Sequence, residues 1–104
     1  MLNVNKAAGL ALLLLAGNVS ADEPSTARQQ VIIKLLKNDC GACHGLTLKG
    51  GLGPSLLPQA LSNKSDDLLL QTIQQGRSGT PMPPWRDFLS KDETLWLIKK
   101  LRQP

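Results

Sequence analysis

The clustering of thiols and imidazole is the feature that most constrains this chain. Both cysteines and the only histidine of the 104 residues lie in one run, Cys40-Gly41-Ala42-Cys43-His44. In a C-x-x-C-H pattern, two thiols three positions apart can each form a thioether with one of the two vinyl groups of a single haem, and the following imidazole can bind the iron. The motif therefore predicts one covalently attached haem c, held by Cys40, Cys43 and His44.

Three other uses of these residues explain the motif less well. A disulfide between Cys40 and Cys43 would close a very short loop, stabilise the chain little and leave His44 without a role. A thioredoxin-like dithiol needs a surrounding βαβ unit, and the sequence shows no pattern for one. A zinc site needs four ligands, whereas the cysteines and the histidine of the whole chain supply three.

The N-terminal segment, residues 1–21, is predicted to be a cleaved signal peptide. Lys6 precedes an uncharged apolar run of about eleven residues, which is shorter than the roughly 20 residues that cross a bilayer. Val19 and Ala21 are small residues at the positions that signal peptidase recognises, which places cleavage after Ala21. We therefore expect residues 22–104 to be a periplasmic domain without stable membrane insertion, and an uncleaved anchor is the alternative.

The composition of residues 22–104 limits the classes of partner. These 83 residues suffice for one small domain, whose core would give only marginal stability without an additional stabilising group such as a haem. They carry a net charge of about +3, with scattered basic residues and three aromatic side chains. This composition argues against nucleic-acid binding, and it is compatible with a solvated surface or with docking on an acidic protein.

Residues 24–38, PSTARQQVIIKLLKN, have the periodicity of an amphipathic helix. Asp22 or Ser25 can serve as its N-cap, and the helix is expected to end near Cys40. Its predicted buried face consists of Ala27, Val31, Ile32, Leu35 and Leu36. The helix leads directly into the C-x-x-C-H motif.

Two further helices have clear start signals. One is expected over residues 65–76, with Ser65 as N-cap and Gly76 as its stop, and its apolar side consists of Leu69, Leu70 and Ile73. The other starts at a capping box formed by Ser90 and Glu93, and its apolar stripe consists of Thr94, Leu97, Ile98 and Leu101.

The segments between the helices, residues 45–64 and 76–89, are rich in Gly and Pro and contain no strand pattern. Loops of this length are unusual in so small a domain unless they serve a function. The chain is therefore predicted to be all-α, with long loops that enclose a ligand.

Met82 is the only methionine of the mature chain and lies between Pro81 and the pair Pro83-Pro84. Because a proline-rich segment has few backbone donors and is stiff, it suits a side chain aimed inward, and we predict Met82 as the iron ligand opposite His44. The alternative is an apolar gap filler. His/Met ligation fills the coordination sphere, so the iron would transfer electrons. A haem enzyme such as a peroxidase would instead need an open iron site.

The runs CGACH, GLGPSL and GTPMPPW resemble those of class I c-type cytochromes, and the resemblance covers almost all of residues 22–104. It implies a small all-α fold of about three to four helices, in which the first and last helices cross and the loops wrap around one covalent haem. It also implies that the Pro54 carbonyl accepts the Nδ1 proton of His44 and that Trp96 packs on the first helix.

Further pocket residues are expected on both long loops. The resemblance implies that Arg77 and Trp85 hydrogen-bond or screen the haem propionates, and a surface lid over the haem edge is the alternative for Trp85. Leu52, Leu56 and Leu57 are expected to line the pocket.

A narrower resemblance is to the short periplasmic cytochromes c of the NirC type, which are encoded with cytochrome cd nitrite reductases in denitrifying bacteria. It rests on the compact size, the run GTPMPPWRDFLS and the interval of 38 positions between His44 and Met82. It implies an electron carrier, not an enzyme, that receives electrons from a quinol-linked or other cytochrome donor and passes them to nitrite reductase. A maturation factor for the reductase or its special haem is the alternative.

Overall fold

Helices and loops alone make up residues 23–104, the part of the chain that this computed structural model describes. The predicted signal peptide, residues 1–21, and the alternative N-cap Asp22 lie outside the described residues. The elements are α1 (Thr26–Leu35), a π-helical turn (Leu36–Cys40), α2 (Gly41–His44), α3 (Pro58–Leu61), α4 (Asp66–Gln75) and α5 (Lys91–Leu101). Since α1, the π-helical turn and α2 are continuous, these residues contain four helical segments, and the predicted all-α fold is confirmed.

The first helical segment begins as predicted but ends later. Ser25 is the N-cap of α1. The Gly41 N–H donates to the carbonyl of Leu36, five residues earlier, so this turn of the helix contains one extra residue. The helix does not stop near Cys40. It then continues to His44, and the predicted end was wrong.

The buried face of α1 is also narrower than predicted. Ile32 and Leu36, four positions apart, are buried, and Leu35 is half-buried. Val31 is half-exposed and Ala27 is exposed, so their assignment to the core was wrong. The reason is that a single neighbouring helix, α5, packs against α1. It covers a narrow stripe of α1 that includes little more than two residues four positions apart.

The start signals of α4 and α5 are confirmed. The Ser65 hydroxyl accepts from the Leu68 N–H at 3.1 Å, and Gly76 follows the last residue of α4. At the start of α5, the Ser90 hydroxyl accepts from the Glu93 N–H at 3.1 Å, while the Glu93 carboxylate accepts from the Ser90 N–H at 2.8 Å. All four residues of the predicted α5 stripe are buried.

The core lies where the first and last helical segments meet. Its buried apolar cluster consists of Ile32, Leu36, Leu61, Leu89, Trp96, Leu97 and Leu101. Trp96 of α5 therefore packs with the buried stripe of α1, as the resemblance implied. Within residues 23–104, no helix combines the length and the apolar character that a membrane crossing requires.

Arg28 joins α1 to the segment before α5. Its Nε donates to Glu93 Oε2 at 2.6 Å, and one terminal nitrogen donates to the Phe88 carbonyl at 2.6 Å. The hydrogen bond from Arg28 is the main cause that lowers the pKa of the Glu93 carboxyl, and the Ser90 N–H contributes in the same direction.

Arg102, directly after α5, joins three points on the other side of the domain. Its Nε donates to Asp66 Oδ1 at 2.9 Å, and its two terminal nitrogens donate to the carbonyls of Leu61 at 3.0 Å and Lys64 at 2.6 Å. The end of α5 is thereby attached to α3, to the following loop and to the start of α4.

Candidate functional site

A cavity of about 800 Å³ lies between the helices and both long loops. Its volume falls within the roughly 300–1,000 Å³ that is usual for cofactor and ligand sites, and its lining is mostly apolar. The seven residues that were predicted to bind the haem all line this one cavity, although they come from three separate parts of the chain. They are Cys40, Cys43, His44, Pro54, Arg77, Met82 and Trp85.

The two thiols lie at the end of the π-helical turn and in α2. Because Cys40 and Cys43 are three positions apart on a helix, their side chains lie on the same face. They are free thiols and half-buried. Burial raises the pKa of Cys40 to about 11, and the charge of Asp39 adds to the effect. Because both cysteines line the cavity and neither is in a disulfide, both sulfurs are available for bonds to a group within it.

His44 is held by the loop that follows it. Its Nδ1 lies 2.6 Å from the Pro54 carbonyl oxygen, and Nδ1 has to be the protonated nitrogen for this hydrogen bond to form. Nε2 is then left with a lone pair, which is the form of imidazole that binds a metal.

Gly53 lies against the imidazole of His44. A Cβ at this position would lie 2.8 Å from Cε1 and 2.9 Å from Nδ1, distances that real Cβ contacts do not show. Gly53 was not predicted as a site residue from the sequence. The only signal in the sequence was a glycine directly before Pro54. The contact of Gly53 with the His44 ring depends on how the loop folds back over α2, which the sequence does not show.

Backbone hydrogen bonds hold that loop against the end of α2. The Gly50 N–H donates to the His44 carbonyl at 2.8 Å, and the Gly53 N–H donates to the Cys43 carbonyl at 2.7 Å. The carbonyls at the end of a helix lack intrahelical partners, and the loop supplies them. The position of Pro54 is therefore tied to the helix that carries both thiols.

Met82 enters the cavity from the loop between α4 and α5. Its side chain is half-buried and lines the same cavity as His44. The Met82 carbonyl accepts from the Arg77 N–H at 3.1 Å, and the Thr80 N–H donates to the Arg77 carbonyl at 3.1 Å. The loop is a closed turn, in which residues 77 and 82 are adjacent.

Arg77 and Trp85 border the Met82 turn on its two sides. The Arg77 side chain is exposed, whereas Trp85 is half-buried and contacts Phe88 edge to face, with ring centroids 5.7 Å apart. Arg77 therefore offers a cation at the solvent side of the cavity, and Trp85 offers an aromatic wall.

Leu52 and Leu56 line the cavity as expected, but Leu57 does not line it. The backbone at Leu57 is extended, with φ −66° and ψ 154°. The expectation for Leu57 was wrong, because the run of lining residues ends at Leu56 and the chain enters α3 at Leu57, the N-cap of that helix.

Much of the apolar wall comes from the helices, including α3, which was not predicted from the sequence. The wall includes Leu36, Leu61, Leu69, Ile73, Leu97, Ile98 and Leu101. Helical periodicity predicts that such residues are buried, but it does not tell whether a protein side chain or a cofactor covers them.

The residues of the cavity fit a covalently bound haem. Two thiols on one helical face, an imidazole with a fixed tautomer and a thioether share one apolar space, and these are the donor types that c-type haem uses. Within residues 23–104, no group of three or more His, Cys, Asp and Glu side chains comes together as a candidate metal site.

Comparison with known proteins identifies close relatives. The family profile described as "Cytochrome C oxidase, cbb3-type, subunit III" matches residues 27–100. The chain is 51% identical to cytochrome c55X of Pseudomonas aeruginosa over 82 residues, which are 78% of this chain and 69% of the relative. It is 42% identical to cytochrome c55X of Paracoccus denitrificans over 92 residues, which are 88% of this chain and 89% of the relative.

Two solved structures share the fold. The structure of a c-type cytochrome NirC superposes with a TM-score of 0.74 at 49% sequence identity, and the match covers 76% of this chain and 93% of that one. The dihydro-haem d1 dehydrogenase NirN, in complex with DHE, matches with a TM-score of 0.62 at 34% identity. That match covers 68% of this chain but only 15% of NirN, so the similarity is to one part of a larger protein.

Proposed function

The chain belongs to the class I c-type cytochromes of the NirC type, and from this premise we propose that it carries single electrons to a cytochrome cd nitrite reductase in the periplasm. Relatives of this kind are electron carriers with one covalently bound haem c. When bound, the haem supplies a one-electron iron couple. The residues of the chain bind the haem, set its axial ligands and control its access to partners and water.

We propose that Cys40 and Cys43 form the two thioethers and that His44 and Met82 are the axial ligands. The observation that carries this proposal is the convergence of all four side chains on one apolar cavity. Pro54 keeps His44 in the tautomer whose Nε2 can bind iron. Because a thioether ligand favours the reduced iron, Met82 would raise the reduction potential and make it easier for the haem to accept an electron from its donor.

Arg77 and Trp85 are proposed to contact the haem propionates. A guanidinium at the solvent side of an apolar cavity can pair with a carboxylate, and an indole N–H can donate to one. A lid over the haem edge is the other role open to Trp85, because its ring lies beside Phe88 at the cavity rim.

The proposed docking surface surrounds the exposed edge of the motif. Leu46 is 86% exposed, and Ala42, Lys49, Pro83 and Pro84 are exposed as well. A small apolar surface with a nearby lysine suits brief docking on an acidic partner, because rapid turnover requires weak binding. The rate of reduction of the reductase should therefore fall as the salt concentration rises, without a change in the reduction potential.

The first experiment tests the ligands. Oxidised and reduced spectra of the periplasmically expressed holoprotein should show low-spin haem, with the weak long-wavelength band that accompanies sulfur ligation of ferric iron. The variant Met82→Ala should lose this band and have a lower potential, whereas the matched apolar variant Leu46→Ala, outside the cavity, should keep both. Retention of the band in Met82→Ala would refute ligation by Met82, whereas a high-spin holoprotein without the band would indicate an open iron site and favour an enzyme.

A role in maturation of the special haem is the second candidate, and the similarity to part of a dihydro-haem d1 dehydrogenase favours it. A dehydrogenase removes electrons from its substrate, so a related cytochrome could exchange electrons during the same stage. Stopped-flow mixing separates the two roles. Rapid oxidation of the reduced cytochrome by mature nitrite reductase supports the carrier, whereas binding only to the immature enzyme supports the maturation role.

A further inference from the structure

The segment that carries Met82 crosses directly over the end of α4. Gly76 ends this helix with a φ of 68°, in the left-handed region that favours glycine. The Arg77 N–H donates to the Met82 carbonyl at 3.1 Å, and farther along the Trp85 N–H donates to the Ile73 carbonyl at 3.0 Å. These two hydrogen bonds hold the segment from Met82 to Trp85 against the end of α4, and Gly76 lies where the segment crosses the helix end.

The crossing has no room for a side chain at position 76. A Cβ there would lie 2.7 Å from the Met82 carbonyl oxygen, 2.7 Å from the Pro83 carbonyl carbon and 2.8 Å from the Pro84 nitrogen. Ordinary van der Waals contact begins at 3.4 Å, so the gap is about 0.7 Å too small. All three opposing atoms belong to the backbone and cannot rotate away as the end of a flexible side chain could.

Any displacement at this crossing would reach Met82. Pro81, Pro83 and Pro84 flank it, and their rings fix φ and leave few backbone torsions that can absorb a shift. A ligand site needs its side chains within about 0.5 Å of the productive geometry. The shift that a methyl group at position 76 demands is larger than this tolerance.

We propose that Gly76 is a positioning residue for the sixth iron ligand, because its lack of a side chain sets how deeply Met82 enters the cavity. The proposal rests on the proposed ligation by Met82 and assigns a role to a residue outside the cavity lining. Gly76 touches neither the haem nor the iron, and it acts through the backbone of residues 82–84.

Gly79 provides a matched control within the same loop. Its φ is 78°, so an alanine there would also adopt an unfavourable positive φ, but a Cβ at Gly79 would meet nothing within 4 Å. The variants Gly76→Ala and Gly79→Ala therefore both place a side chain at a positive φ, and only Gly76→Ala adds a contact with the Met82 segment.

The test compares the two holoproteins. In Gly76→Ala the sulfur–iron band should be weakened or lost, the reduction potential should fall, and imidazole added to the ferric protein should bind about tenfold tighter or more, because it displaces a weaker internal ligand. Gly79→Ala should keep the band and potential, with imidazole affinity within about twofold of the original. Equal effects of the two substitutions would overturn the proposal, since strain alone would then explain them.

A second pair of variants, Gly76→Asn and Gly79→Asn, guards against failure of the alanine variant to mature. Asparagine tolerates a positive φ better than alanine, but it still has a Cβ, so Gly76→Asn should again lose the band. If neither Gly76 variant yields holoprotein while the Gly79 variants do, Gly76 is needed for folding and the proposal is refuted. If Met82→Ala leaves the band unchanged, the ligation itself is wrong; if only Gly76→Ala leaves it unchanged, the positioning role alone is wrong.

Discussion

The attachment of Arg102 gives a prediction in which two kinds of interaction compete. Arg102 makes an ion pair with Asp66 and donates to the carbonyls of Leu61 and Lys64. The Asp66 side chain is 64% exposed, and an exposed ion pair contributes about 0–1 kcal/mol. Hydrogen bonds from a charged donor contribute about 1.5–3 kcal/mol each when they are shielded from water. We therefore expect the carbonyl bonds to dominate.

The perturbation is Arg102→Met, which keeps the apolar stem and removes all the donors. Because Arg102 is partly exposed and water can replace some of its bonds, we expect a loss of about 2 kcal/mol in the free energy of unfolding. For a domain of this size, this corresponds to a fall of roughly 10 °C in Tm. Asp66→Asn removes only the ion pair and a charge at the start of α4, and it should cost less than about 1 kcal/mol.

Asp67→Asn is the control for the charge at the start of α4. Asp67 lies in the same first turn, so it interacts with the helix dipole as Asp66 does, and it makes no ion pair within residues 23–104. Urea unfolding of the holoproteins, followed by circular dichroism, measures all three variants. The reasoning is refuted if Asp66→Asn costs as much as Arg102→Met, because the ion pair would then carry the stability.

Two further predictions concern α1 and the motif loop. Because the hydrogen bond from Arg28 lowers the pKa of Glu93 in the folded state, the ionised carboxylate stabilises the fold above its ordinary pKa, and this stability is lost as the pH falls through the lowered pKa. Glu93→Gln should therefore lower Tm at neutral pH and progressively less in acid, and a deficit that stays constant with pH would contradict this. Gly53→Ala would place a Cβ 2.8 Å from His44 Cε1, so it should increase the high-spin fraction of the ferric spectrum. An unchanged spectrum would mean that the ring can move without losing its bond to iron.

Features encoded locally were predictable from the sequence. The Ser90–Glu93 capping box and the Ser65 cap depend on residues within one helical turn, and both are present in the structure. The spacing of the two cysteines and the histidine in the C-x-x-C-H motif is likewise read directly from five consecutive residues. The short helix α3 was missed because Pro58 in a Gly- and Pro-rich segment indicates a loop as readily as a first helical turn.

Features that depend on distant segments were not predictable. The narrow stripe of α1 is set by the helix that covers it, and Val31 has no local signal that would place it in solvent. The need for glycine at Gly53 and Gly76 comes from His44 and from the Met82 segment, which approach in the folded chain. A sequence pattern shows that a glycine is present, but only the three-dimensional structure shows what lies against it.

The π-helical turn of residues 36–40 has a consequence for insertions and deletions in this part of the chain. It contains one residue more than a regular helix needs, and its members Lys37, Asn38 and Asp39 are exposed. Removing one of them could convert the wide turn into regular α-helix, and the residues on its two sides would keep nearly the same orientation about the helix axis, because the turn would lose the one residue it holds in excess. Cys40 and Cys43 would then still face the cavity, so haem attachment should tolerate a one-residue deletion here, whereas a deletion in α1 would turn the motif by about 100° relative to the N-terminal part of α1 and could abolish attachment.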